Sequence, residues 1–299
     1  MQERSKRRLG CAALVAGAAA IGLAPIWVRL SEVGPSATAF YRLLLALPIL
    51  CLWTGVESRR TNPPPRPATR KEFALLAAAG AFFALDLAMW HWSIKLTSVA
   101  NATLFANFAP LFVAVGARYL LAERLTPLFL GGMVAALAGG ALLVGVSLTQ
   151  TLEHLAGDAF GVATAVFYGA YQLSVKCLRH RFSTATTLAW SGLAACPVLW
   201  AAALAAHEVL VPQTRTGWLV LVALALTAQL GGQGLIAYAS AHLSASFLSV
   251  ALLVQPVAAA GFAWVLLHER MGPAQVLGGL VVLLGIGMAG WARRAAPEP

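Results

Sequence analysis

Pro110, Glu123, Arg124 and Pro127 return as Pro256, Glu269, Arg270 and Pro273, each 146 positions later and in unchanged register. Between Pro110 and Gly139 the later copy repeats eleven residues, so NFAPLFVAVGARYLLAERLTP is answered by LVQPVAAAGFAWVLLHERMGP. Both copies lie in apolar sequence. A bilayer-spanning helix needs about 20 mostly apolar residues, and the chain offers ten such stretches, roughly 9–30, 36–55, 73–95, 98–120, 127–147, 158–178, 186–206, 216–240, 244–267 and 273–292. The echoing pairs are the fourth and fifth and the ninth and tenth, so the chain divides into two five-helix units, 1–150 and 151–299. A repeat with an odd number of spans must lie upside down relative to its partner. The expected fold is an all-α integral membrane protein of ten transmembrane helices in two inverted repeats, with any binding site between the halves.

The composition agrees. With 60% hydrophobic and 11% charged residues, the chain falls far from globular domains, about a quarter of whose residues are charged. The net charge of +10 does not point to nucleic acid, because the basic residues cluster between apolar runs, as at Arg4–Arg8, Arg59–Arg60 and Lys176–Arg181. With both termini in the cytoplasm, sixteen Lys and Arg fall on the inner side and four on the outer, the bias that sets orientation. The start also has the form of a signal peptide, but its apolar core is long for one, and its loss would break the repeat. Residues 57–72, basic and proline-rich, read as a stiff solvated connector. The four cysteines show no metal or redox spacing, so no metal and no cofactor are expected.

Two five-helix units, each with a proline inside its fourth helix, a Glu at that helix's end and a glycine-rich fifth helix, resemble the EamA-type members of the drug/metabolite transporter superfamily. The resemblance covers nearly the whole chain. It implies a ten-helix carrier that exports amino acids or related small metabolites across a bacterial inner membrane, with similarity to the aromatic amino-acid exporters of that group.

Polar residues inside spans are expensive and default to function. Arg42 and Asp86 lie at depths that allow an intramembrane ion pair, and Asp86 could instead hold a substrate ammonium or a coupling proton. Trp90 shares a helical face with Asp86; it either stacks on substrate or belongs to the interfacial belt, as Trp92 does. His91 is read as a packing histidine. Tyr168, Tyr171 and Gln172 form one stripe on helix six, faced by Gln229 and Gln233 on helix eight. Asn101 and Asn107 on helix four and Gln255 beside Pro256 complete the candidate cavity lining, though any one of them also suits interhelical hydrogen-bond glue. Such a lining fits a zwitterion with an apolar side chain and offers no arginine cluster for phosphates. Pro110 and Pro256 read as paired kinks or hinges. Glu123 and Glu269 read either as gates or as carboxylates stabilised by the N-terminus of the next helix. Gly132, Ala136 and Gly140 read as a close-packing face.

Two other classes compete with the carrier. An intramembrane enzyme acting on a lipid or prenyl substrate needs clustered acids, metal ligands or a nucleophile with its base, and Asp86 with His91 is a thin basis for one. A channel needs pore-lining rings. The partners expected are a small-molecule substrate and the bilayer, with no nucleic acid; the oligomeric state stays open.

Overall fold

The computed structural model describes residues 2–97, 99–144, 155–267 and 271–295, with side chains at all of these except 2–4, 91, 94–95, 99–101, 267 and 294–295. Glu269 and Arg270 therefore lie outside the described residues, as do the side chains of Asn101 and His91. The described residues contain helices and no strand.

Among the described residues nine helices are long and apolar enough to cross a bilayer: α1 Ser5–Leu30, α2 Pro35–Glu57, α3 Arg70–Trp90, α4 Ala102–Leu120, α5 Pro127–Val144, α7 Thr184–Ala205, α8 Arg215–Ser240, α9 Ala245–Leu266 and α10 Pro273–Arg293. Between α5 and α7 runs α6, Leu155–Arg179, 25 residues long. It is less apolar than the others because it carries Asp158, Tyr168, Tyr171 and Gln172 on its length. It packs against α3 and α4, with Tyr171 and Gln172 buried.

The packing carries the repeat into space. Helix α3 packs on α6 as α8 packs on α1, α4 on α6 as α9 on α1, and α3 on α7 as α8 on α2, while α2 pairs with α7, α4 with α9 and α5 with α10. Exchanging each helix with the one five places on returns the same set of pairs, as two interleaved copies of one unit require.

The most extensive of these seams joins α5 to α10. A Cβ placed on Gly132 would stand 2.7 Å from the backbone of Gly285 and Ala289, and one on Gly285 would stand 2.5 Å from the backbone N of Ala136. Gly139 and Gly278 meet in the same way two turns along. Small residues let helices approach until their backbones touch, which substitutes for the hydrophobic drive that a bilayer lacks. The seam is thus Gly132, Ala136 and Gly139 and lies within one chain. Gly140, expected on it, faces no neighbour within 4 Å, because the contact follows a spacing of four and then three along the helix.

Four spans are broken just ahead of a proline. The breaks fall at Leu23 before Pro25, at Leu45 and Ala46 before Pro48, at Asn107 and Phe108 before Pro110, and at Leu252 and Leu253 before Pro256. Proline has no N–H to give the preceding turn, and its ring collides with the carbonyl four residues back. The breaks in α4 and α9 are symmetry mates. Helix α8 departs differently, through a π-helical segment at Ala225–Gln233.

Carboxylates from one unit cap helices of the other. Glu208, after α7, accepts the N–H of Ala37 at the start of α2 (2.9 Å). Glu32, after α1, accepts the N–H groups of Gln213 (2.9 Å) and Thr214 (3.0 Å) and the Thr214 hydroxyl at the start of α8. The Thr214 hydroxyl and the two backbone donors hold the Glu32 carboxyl below its ordinary value. Glu123, after α4, accepts from the N–H of Ala245 (2.7 Å), the N–H of Ser246 (3.1 Å) and the Ser246 hydroxyl (2.6 Å) at the start of α9. A helix N-terminus does stabilise Glu123, but it is that of α9 and not, as its place in the sequence suggests, that of the adjacent α5. Beside it Lys176 donates to the carbonyls of Ser240 (2.8 Å) and Leu243 (2.7 Å), and Arg179 to that of Ala237 (2.9 Å), at the end of α8. The α8–α9 corner is therefore gripped at both helix termini by side chains of matching charge. Glu123→Ala leaves three donors without their carboxylate, and loss of such a cap costs about 1–2 kcal/mol. Thermal unfolding in detergent should register a fall of about 2–8 °C, and an unchanged midpoint would show the contact to be idle.

Candidate functional site

The polar residues of the interior meet between the two units. Arg42 of α2, 8% exposed, donates from Nε to Gln229 Oε1 of α8 at 3.2 Å. Its guanidinium carbon lies 5.6 Å from the centre of the Phe83 ring on α3. Phe83 stacks on Tyr171 of α6 at 4.4 Å and 15° between planes, and Tyr171 lies 6.5 Å from Tyr168 at 22°. Gln255 of α9 donates from Nε2 to the Tyr168 hydroxyl at 3.5 Å. One run of contacts, Gln229–Arg42–Phe83–Tyr171–Tyr168–Gln255, thus crosses five helices. Asp86, one turn beyond Phe83, is buried and within electrostatic reach of Arg42, Tyr168 and Tyr171.

Arg42 and Asp86 thus share one buried cluster. No ion pair within 4 Å joins them among the described residues; the guanidinium is held by Gln229 and the Phe83 face. A charge held by an amide and a ring stays available to a second anion, which one locked to a carboxylate does not.

Gln229 and Gln233 both lie in the π-helical segment of α8. Gln229 meets Arg42, whereas Gln233 lines a small cavity with Tyr168, Tyr171 and Gln172. That cavity holds about 10 Å³, room for a single water molecule. Gln172 Oε1 and, near the α4 break, Asn107 Nδ2 are buried without a hydrogen-bond partner among the described residues.

The end of α3 holds other expected residues apart from this run. Trp92 is 38% exposed and faces Phe160 at 6.5 Å. Ser93 donates to the Gly157 carbonyl at 2.7 Å and ties α3 to α6. Trp90 is half-buried one turn from Asp86. Phe83 was not among the expected residues, although its place three before Asp86 on one helical face is a signal the sequence carries.

Ten helices among the described residues, in two interleaved units with a polar cluster buried between them, define a multi-pass membrane protein of the transporter type. The sequence profile of the EamA-like transporter family matches residues 8–145 and again 155–291, and the chain belongs to that family of membrane transporters. It is similar to the pseudopaline exporter CntI of Pseudomonas aeruginosa, 25% identical over 220 residues that cover 72% of this chain and 74% of that protein. An uncharacterized transporter of Archaeoglobus fulgidus is 25% identical over 267 residues, covering 87% of this chain and 89% of the other. The uncharacterized inner membrane transporter YhbE of Escherichia coli K12 is 26% identical over 189 residues, 60% of this chain and 58% of YhbE. A crystal structure superposes with a TM-score of 0.78 at 17% identity, covering 98% of this chain and 100% of the other, a likeness of fold alone.

Proposed function

We propose that the protein is a secondary carrier that exports a small zwitterionic metabolite, an amino acid or a compound built on one, across the bacterial inner membrane by alternating access. The units 1–150 and 151–299 rock about the buried cluster, and both termini are cytoplasmic. The observation that carries this reading is the run from Gln229 to Gln255, which sets a guanidinium and stacked aromatic rings in one interior site drawn from both units, with the buried Asp86 within electrostatic reach of it.

In this reading Arg42 receives the substrate carboxylate and Asp86 its ammonium group or the coupling proton. Tyr168, Tyr171 and Phe83 cover the apolar side chain, favouring aromatic ones. The amides of Gln172 and Asn107 supply hydrogen bonds that their present surroundings leave unused, and Gln233 adds a third amide beside Gln172. The small cavity corresponds to a closed state, and substrate enters as α6 parts from α8 and α9. The breaks before Pro110 and Pro256 let the two ends of α4 and α9 move separately, and Glu123, with Glu269 as its repeat mate, closes one face at a time.

Counterflow in liposomes containing the purified protein tests this. The labelled panel holds aromatic, aliphatic and cationic amino acids, a nucleotide sugar, a quaternary ammonium compound and pseudopaline, the compound named for a relative. Saturable, competable exchange of amino acids or pseudopaline is expected, and exchange of the nucleotide sugar alone would overturn the zwitterion reading. Asp86→Asn should lower exchange about tenfold and flatten its pH dependence, since one charge-assisted hydrogen bond is worth about 1.5–3 kcal/mol. An unaltered rate and pH profile would make Asp86 merely structural.

A further inference from the structure

A second cavity lies away from the central site, under the basic connector between α2 and α3. It measures about 210 Å³ and opens over the seam of α2 with α7, lined by Thr54, Ser58, Arg66, Thr186 and Trp190. Pro64 and Pro67 form its remaining wall, in a run of prolines that stiffens the connector and fixes Arg66 in place before anything binds. No lining residue is acidic, and Arg66 has no hydrogen-bond or ion-pair partner among the described residues. The hydroxyls of Thr54 and Ser58 point back to the carbonyls of Cys51 and Gly55, from which they can rotate to donate into the cavity. Arg59, Arg60, Arg70 and Lys71 are exposed on the same connector and add a positive field.

The surroundings show where an anion would come from. Trp190 is 38% exposed and packs edge-on against Phe73 at 5.0 Å, about six residues or 9 Å into α7, the level of an interfacial aromatic belt. Leu52 and Trp53 on α2 and Leu193 on α7 are exposed beside it and offer an apolar surface for acyl chains. We infer that this cavity binds the phosphodiester headgroup of an anionic phospholipid, with Arg66 on the phosphate, the hydroxyls on its free oxygens and the chains along α2 and α7. The lipid would sit across the seam between the two units, since α2 belongs to one and α7 to the other.

The test is thermal unfolding of the full-length protein in phosphatidylcholine nanodiscs, with and without phosphatidylglycerol, for the wild type, Arg66→Gln and Arg59→Gln. Arg59 lies on the same connector but outside the cavity. Phosphatidylglycerol should raise the midpoint of the wild type and of Arg59→Gln by about 4 °C, the scale of a ligand at tens of times its Kd, and should leave Arg66→Gln unmoved. Native mass spectrometry should show one retained phosphatidylglycerol, lost in Arg66→Gln alone. An equal gain in Arg66→Gln, or an equal loss in Arg59→Gln, would reduce the effect to general surface charge and overturn the site. Glycerol 3-phosphate added to phosphatidylcholine discs should not reproduce the gain; if it does, the ligand is a soluble phosphate and not a lipid.

Discussion

Arg42→Gln should lower the kcat/KM of substrate exchange about 100-fold while the protein still folds and inserts. The factor follows from the contacts. A charge-assisted hydrogen bond to a carboxylate is worth about 1.5–3 kcal/mol, and each 1.36 kcal/mol is tenfold in rate. Glutamine keeps a donor for Gln229 Oε1, which the guanidinium now serves at 3.2 Å, so the fold loses little while the substrate loses its cationic partner. Arg42→Lys separates charge from shape. Lysine restores the positive charge but not the flat cation that lies 5.6 Å from the Phe83 ring centre, and the two side chains are not interchangeable at a stacked site. An intermediate loss of about tenfold is expected. Exchange at the wild-type rate in Arg42→Gln, with the variant shown to be monodisperse, would reduce Arg42 to a structural tie between α2 and α8.

The second large effect is on assembly. Gly285→Leu should destabilise the protein by about 1–3 kcal/mol or more, the usual cost of overpacking, and lower its unfolding midpoint by about 4–10 °C. A Cβ there would stand 2.5 Å from the backbone N of Ala136 and 2.6 Å from the Gly132 carbonyl oxygen, so backbone must move and no rotamer can relieve the clash. Gly132→Val should behave alike from the other side of the seam. Gly287 and Gly131, on the same helices, face nothing within 4 Å, and alanine at either should be neutral or slightly stabilising because glycine is a poor helix former. Fluorescence-detected size exclusion after a heat step reads all four variants. Equal sensitivity at all of them would mean that the α5–α10 contact does not limit stability.

These features differ in how far they can be read from sequence. The ten apolar stretches and the echo of Pro110 and Pro256 lead to the helices and to the breaks in α4 and α9, because bilayer thickness and the missing proline N–H act locally. The stripe of Tyr168, Tyr171 and Gln172 was legible for the same reason, since helical spacing alone puts these residues on one face. Three things were not. The π segment at Ala225–Gln233 has no periodic signature in the apolar pattern. The partner of Glu123 lies 122 residues away, and a carboxylate beside a proline-started helix points first to that nearer helix. The ring beneath Arg42 belongs to Phe83, one of many phenylalanines in a chain where aromatic residues alone distinguish nothing.

In the proposed carrier one buried site opens to each side of the membrane in turn. The most direct measurement places a cysteine at Gln233, in a background lacking Cys11, Cys51, Cys177 and Cys196, and follows its alkylation by an impermeant thiol reagent from each face of oriented proteoliposomes. The account predicts labelling from both faces, slowed from both by transported substrate. Trapping one face closed, with a crosslink between positions 123 and 246, should abolish labelling from that face alone. Labelling from a single face under every condition, or from both at once through the crosslinked protein, would contradict alternating access and return the site to a one-sided binding pocket or an open pore.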